Sequence, residues 1–286
     1  LHYILNIIMV TETVIDKEID IYPFFCFYTL NNKFFKNNKP LTLKEICNKS
    51  PFENQSDKIS LGKVPLFVTW LKKDTLIQED DSEESESASD IEDKDYDLRG
   101  CIGTFSRLDL EEGLREYALI AAFNDTRFPI IKYDELKYLK CKVSILQDFK
   151  IIYDKTMTDT RMHPLHAQRD TNNFWSHIDR SFHILPDDLQ ETNGIEIKFT
   201  YYTSKYSSTF LPEVMVENDF DLEETFDHLI KKALSRDYTK SDDLSLITKV
   251  IMRNPKEYID KVIVYKSAKS GLTYKQFKKV LDNWEL

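Results

Sequence analysis

LRGCIGTF, residues 98–105, is the stretch on which the reading of this chain turns. From Cys101 to Phe105 it has the pattern of a strand. In a strand residues 99, 101 and 103 share one face, so the Arg99 guanidinium is expected beside the Cys101 thiol. A neighbouring cation favours the thiolate, the reactive form of cysteine. Gly100 and Gly103 stand on either side of the thiol and leave space for a ligand, or for another backbone, to come close. The plain alternative is that Cys101 is a small buried hydrophobe and the glycines mark a bulge, because free cysteines are among the most buried residues.

Working outward from that strand, VPLFVTWL (residues 64–71) is apolar and β-branched and predicts a buried strand. On the other side, Asp109 followed by Glu112 opens a helix. Leu110, Leu114, Tyr117, Ala118 and Ala121 recur at helical spacing and carry it to Phe123. Residues 141–146 and 195–201 predict strands, the second alternating cleanly between apolar and polar. Asp221 with Glu224 caps a helix whose face is Leu222, Phe226, Leu229, Ile230 and Ala233, and a strand at 262–265 precedes a closing helix at 274–284. Upstream, YPFFCFYTLNNKFF (residues 22–35) reads as an aromatic helix with a proline in its first turn. Residues 41–62 read as polar loop, with one short helical pattern at LTLKEIC. Strands and helices interleave and several strands are adjacent, so the expected class is α+β, with mainly antiparallel sheet and flanking helices.

The expected organisation is one domain over residues 20–286 after an N-terminal extension, 1–19, expected to be disordered. Two insertions interrupt it. Residues 74–97 hold eleven acids from Glu79 onward against one Lys94, and with few apolar residues to bury they are expected to be disordered. Residues 150–192 read as a long irregular insertion carrying four of the six histidines. The formal charge of −10 equals that of the acidic stretch alone, so the remainder is neutral. A neutral body gives no electrostatic argument for nucleic-acid binding, which normally needs a basic face, and leaves only a local patch as an opening for it.

Six glycines are too few, and wrongly spaced, for a dinucleotide-binding or phosphate-binding loop. Four scattered cysteines without a C-x-x-C pair suggest neither a zinc knuckle nor a disulfide framework and fit a reducing compartment. No run reaches the roughly 18 apolar residues of a membrane helix. The opening LHYILNIIMV lacks a basic flank and reads poorly as a signal peptide, and Met9 is the expected natural start. A soluble protein of the cytoplasm, with the nucleus as a second compartment, is therefore expected.

Other residues invite chemistry. Arg127 in NDTRFP (residues 124–129) suits an anionic group, or else it caps the preceding helix with Phe128 in the core. Glu213, after Pro212 at the end of a strand pattern, is an acid-base candidate or a solvated carboxylate. His163 and His166 form an H-x-x-H without helical context or nearby acids, so no metal is expected. Ser87 and Ser89, each with an acid three residues on, are similar to sites of acidophilic kinases.

LRGCIGTF stands in order with PLFVTW (65–70), GLREYAL (113–119), DTRFP (125–129), NGIEIKF (193–199), FLPEV (210–214) and ETFDHLIKKA (224–233). Together they resemble the AMMECR-domain family, named after the Alport syndrome, midface hypoplasia and elliptocytosis chromosomal region. The pattern spans residue 22 to the C-terminus and marks a fungal-type member with two insertions.

The resemblance implies a two-lobed α+β domain with a cleft centred on the LRGCIG strand. It implies no cofactor and no established activity, and an unknown small molecule or protein as ligand. Prokaryotic relatives occur with Memo-like and radical-SAM proteins, which makes a Memo-like protein a candidate partner. By carry-over, Arg99, Gly100, Gly103, Arg115, Arg127 and Pro212 are ligand-binding candidates, and Cys101, Glu116 and Glu213 are catalytic candidates. Asn193 stands where the family usually has histidine, so a general base for the cysteine is missing there unless His177 or His183 substitutes.

Two functions follow. One is an enzyme with Cys101 as nucleophile, Glu116 or Glu213 handling protons and Arg127 holding an anionic substrate. The other is a non-catalytic interaction module whose acidic insert tunes association with a basic partner.

Overall fold

The computed structural model describes residues 19–35, 40–73, 95–157, 174–183 and 193–284. The chain runs α1 (Ile21–Phe35), α2 (Leu43–Cys47), α3 (Ser56–Ile59), β1 (Lys63–Lys73), β2 (Tyr96–Asp109) and α4 (Leu110–Phe123). A 3-10 turn (Tyr133–Tyr138) leads into β3 (Leu139–Asp154), followed by α5 (Phe174–His183), β4 (Gly194–Tyr201) and β5 (Ser204–Phe210). Then come α6 (Pro212–Glu217), α7 (Leu222–Leu234), α8 (Ser241–Arg253), α9 (Pro255–Tyr258), β6 (Ile259–Thr273) and α10 (Tyr274–Trp284). The strand order is β2-β1-β3-β6-β4-β5, and the pairings of β1 with β2 and β3, and of β4 with β5 and β6, are antiparallel. The fold is α+β. It divides into two compact units, one ending at Ile145 and resuming at Lys269, the other Leu146–Ala268, so β3 and β6 each contribute to both.

In the first unit α1 is buried nearly all round, which its aromatic content demands. Its start is satisfied twice over. Asp20 accepts the Tyr22 N–H at 2.9 Å, and the buried Gln55 accepts the Ile21 N–H at 3.0 Å while donating to the Ile19 carbonyl. Inside the unit Phe27 meets Trp70 of β1 at 5.0 Å and Phe277 of α10 at 5.4 Å, and Phe24 meets Phe52 at 4.7 Å. α4 starts where Asp109 predicts, its carboxylate accepting the N–H groups of Glu111 and Glu112.

In the second unit the alternation of β4 buries Ile195, Ile197 and Phe199. Phe226, Leu229 and Ile230 of α7 and Ile247 and Ile251 of α8 join the same core. Asp221 and Glu224 close the predicted capping box.

Three expectations change. Residues 150–192 are not irregular from their start: β3 runs on to Asp154 through the β-branched and aromatic run Ile151, Ile152 and Tyr153, and Tyr153 is buried in the core of the second unit. Further on, α5 puts Phe174 and Ile178, one helical turn apart, into the core of the second unit, and Trp175 meets Phe226 at 5.0 Å. The acidic stretch also ends earlier than expected, since Tyr96 and Asp97 pair with Lys73 and Lys72 in the β1–β2 ladder. Residues 1–18 and 74–94, with Ser87 and Ser89, lie outside the described residues, as do His163 and His166.

Candidate functional site

β1 and β2 set the site. Trp70 pairs with Gly100 and Thr69 with Cys101, but the next pair is Leu71 with Leu98, which leaves Arg99 as the extra residue of a bulge. Trp70 is fully buried and its indole N–H donates to the Ala118 carbonyl of α4 at 2.9 Å. Gly100, beside it, lies so close to α4 that a Cβ there would stand 2.1 Å from the Ala121 carbonyl oxygen. Alternation then puts Thr69 and Cys101 on the opposite face of the ladder. On that face a Cβ at Gly103 would meet the Phe67 ring at 2.2 Å. Both glycines are therefore explained by close packing.

The bulge also redirects Arg99. Its Nε and Nη2 donate to the two carboxylate oxygens of Glu135 at 3.0 Å each, and its other N–H groups reach the carbonyls of Pro129 and Ile130. The expected neighbour of the Cys101 thiol is thus an anchor for the segment after α4, because a bulge breaks the two-residue alternation on which the expectation rested. Glu135 also accepts from Lys72 and from the Lys132 N–H, both at 2.9 Å. Burial pushes its carboxyl up, but the bonds from Arg99, Lys72 and Lys132 outweigh that and hold it at about 2.

A folded value below the ordinary 4.5 means that this contribution is present at neutral pH and is lost as pH falls towards 2. Glu135→Gln is accordingly expected to cost about 2 kcal/mol at pH 7, since glutamine keeps part of the hydrogen bonding. Chemical denaturation from pH 7 down to 2.5 should show the gap to wild type closing below pH 4.5. A gap independent of pH would mean that the carboxylate charge contributes nothing.

Arg127 is a cation that does engage Cys101. It donates through Nε and Nη2 to the buried Asp125 carboxylate at 2.9 and 2.7 Å, and through Nη2 to the Cys101 carbonyl at 3.0 Å. Asp125 in turn accepts the Cys101 N–H at 2.9 Å. Residue 101 is thus held at both its N–H and its C=O. The Arg127 guanidinium keeps the Asp125 carboxyl well below the usual carboxylate range, against burial and with help from the Cys101 and Arg127 N–H groups. The charge on Arg127 is favoured first by Asp125 and more weakly by the Cys101 sulfur, and its side chain remains 55% exposed. The Thr69 hydroxyl donates to Cys101 Sγ at 3.1 Å. Cys101 is partly accessible, whereas Cys26, Cys47 and Cys141 are buried.

The remaining candidates lie elsewhere. Arg115 donates to Glu111 and to the Leu41 carbonyl and covers the Phe25 ring at 4.8 Å, so it packs α4 against α1. Glu116 is exposed on α4. Pro212 and Glu213 open α6 in the second unit. There Tyr265 is fully buried and hydrogen bonds to Thr209 and the Phe210 carbonyl. Burial first, then the charges of Glu213 and Glu196, push its hydroxyl far up. Gly194, after Asn193, packs on the Tyr265 ring. His177 is exposed, its Nε2 3.2 Å from the Ile152 carbonyl.

A groove of about 610 Å³ in the second unit, lined by Trp175, Leu222, Lys249, Met252 and Arg253 among others, holds none of the predicted site residues. Among the described residues no cluster of three or more His, Cys, Asp or Glu is arranged to hold a metal, and no helix is long and apolar enough to cross a membrane. Asp125, Thr69, Glu135 and Lys72 were missed by sequence reasoning. Only Asp125 carried a signal, two residues before an arginine in a turn.

Residues 24–248 match the AMMECR1 family model. The chain belongs to the AMMECR1 family. Its relatives in that family include an uncharacterised protein of Kluyveromyces lactis, 34% identical over 260 residues, covering 90% of this chain and 92% of the relative. An uncharacterised protein of Saccharomyces cerevisiae is 33% identical over 225 residues, 78% of this chain and 74% of the relative. A solved structure of an uncharacterised protein from Pyrococcus horikoshii aligns over 88% of each chain with a TM-score of 0.48 and 18% identity. In this AMMECR1-family chain the matched span contains β1, β2 and the Asp125–Arg127 segment, together with Glu213.

Proposed function

We propose that this AMMECR1-family protein works through a reactive thiol at Cys101, in a ligand-binding or catalytic site built on β1, β2 and the segment after α4. The observation that carries this reading is that the partly accessible cysteine has its backbone fixed at both ends while its sulfur accepts a hydrogen bond beside a half-exposed arginine. A fixed backbone sets the sulfur in one position, which is what a nucleophile requires. The arginine charge favours thiolate. Arg127 also offers an exposed guanidinium to an anionic ligand, whereas Arg99, Gly100, Gly103 and Arg115 serve packing and anchoring in this reading.

Alkylation of the folded chain with iodoacetamide across pH, followed peptide by peptide in the mass spectrometer, tests it. Cys101 should react while the other three cysteines stay protected, with a half-maximal rate below the roughly pH 8.5 of a free thiol. Protection of Cys101, or an unshifted profile, would overturn the thiol reading in favour of a non-catalytic interaction module.

A further inference from the structure

We propose that Thr69 is the positioning residue of the Cys101 site: its hydroxyl holds the sulfur in place and stabilises the thiolate. The inference rests on the thiol reading above. Thr69 is the register partner of Cys101 across the β1–β2 ladder, and Oγ1 donates to Sγ at 3.1 Å. Threonine is branched at Cβ, so within a strand its side chain has few rotamers and the backbone largely dictates where the hydroxyl points. A neutral thiol both donates and accepts weakly, while a thiolate only accepts. A hydroxyl aimed at the sulfur therefore favours the charged form.

The other charges around the sulfur come from three elements. Arg127 lies on the segment after α4 and feels the sulfur's charge, and Lys142, the register partner of Thr69, stands on β3 with Lys140 two residues away. On β2 itself Arg99 is engaged by Glu135, and Asp125, which takes the Cys101 N–H, is paired with Arg127. These charges are common to wild type and to any Thr69 variant. A comparison at this one position therefore isolates the hydroxyl.

The experiment is the alkylation profile of Cys101, with iodoacetamide as probe, in the full chain carrying Thr69, Thr69→Val or Thr69→Ser. Valine keeps the shape and removes the donor, whereas serine restores the donor. Thr69→Val should move the half-maximal pH upward by about one unit, the size of one hydrogen bond to a charged acceptor. Thr69→Ser should return it towards wild type. Continued protection of Cys26, Cys47 and Cys141 reports that each variant is folded, and Thr69→Ala carries the same test should the valine variant unfold. Identical profiles for wild type and Thr69→Val, or no recovery with serine, would overturn the role of Thr69. An ordinary profile in wild type with a further upward shift in Thr69→Val would retain the hydrogen bond and overturn the thiolate reading instead.

Discussion

Gly100→Ala should unfold the first unit or leave it barely stable. The added methyl would stand 2.1 Å from the carbonyl oxygen of Ala121, an atom of helix backbone that no rotamer change can move. To make room, α4 must withdraw by more than an ångström, and with it goes the Ala118 carbonyl that accepts the Trp70 indole N–H. Overpacking against side chains typically costs 1–3 kcal/mol. Against rigid backbone, with a buried indole donor stranded as well, the expected loss is about 4 kcal/mol or more, out of a typical total of 5–15. Gly271→Ala is the control, because its Cβ would make only ordinary contacts, at 3.6 Å and beyond. Urea denaturation followed by tryptophan fluorescence reads both variants. A Gly100→Ala loss below about 1 kcal/mol would show that α4 is free to slide on the sheet, contrary to the packing described.

The second large effect is expected at Asp125. Asp125→Ala removes the acceptor of the Cys101 N–H and the partner of Arg127 together. Breaking a buried ion pair from one side costs about 3–5 kcal/mol, and the lower end is expected here because Arg127 is half in solvent and rehydrates. Arg127→Ala is damaging for the opposite reason, since it leaves the buried carboxylate with backbone N–H donors alone. The double variant should then be less harmed than the two single losses added together, by about 1–3 kcal/mol. Additive losses would mean that the two side chains act separately. The double variant should also broaden the reactivity of Cys101, since residue 101 would then have lost both of its fixed points.

Much of the fold was legible where one element carries its own pattern. β1 and β4 declared themselves by β-branched and alternating residues, α10 by the spacing of Phe277, Val280 and Leu281, and α4 and α7 by the capping acids Asp109 and Asp221. α8 is absent from the expectations although Leu244, Ile247, Thr248 and Ile251 repeat at helical spacing behind two acids in its first turn. For the candidate site, the sequence points to residues and not to their contacts. Cys101 and Arg127 stand out in sequence, but Arg99 was placed by strict alternation, whereas the bulge that the glycines offered as the alternative falls at Arg99 itself. The glycines of the motif look permissive in sequence, whereas their neighbours, Ala121 and Phe67, belong to other elements. Glu135 and Thr69 gain their roles wholly from chain pairing and are invisible to spacing arguments.

β2 stands at one end of the strand order, where a row of backbone donors and acceptors would ordinarily face outward and invite another chain to pair. At residue 101 that invitation is withdrawn: a carboxylate occupies the outward N–H and a guanidinium the outward carbonyl, as a seventh strand would. Two side chains thus end the sheet at its margin. At that residue the sheet therefore does not present the bare strand that seeds self-association.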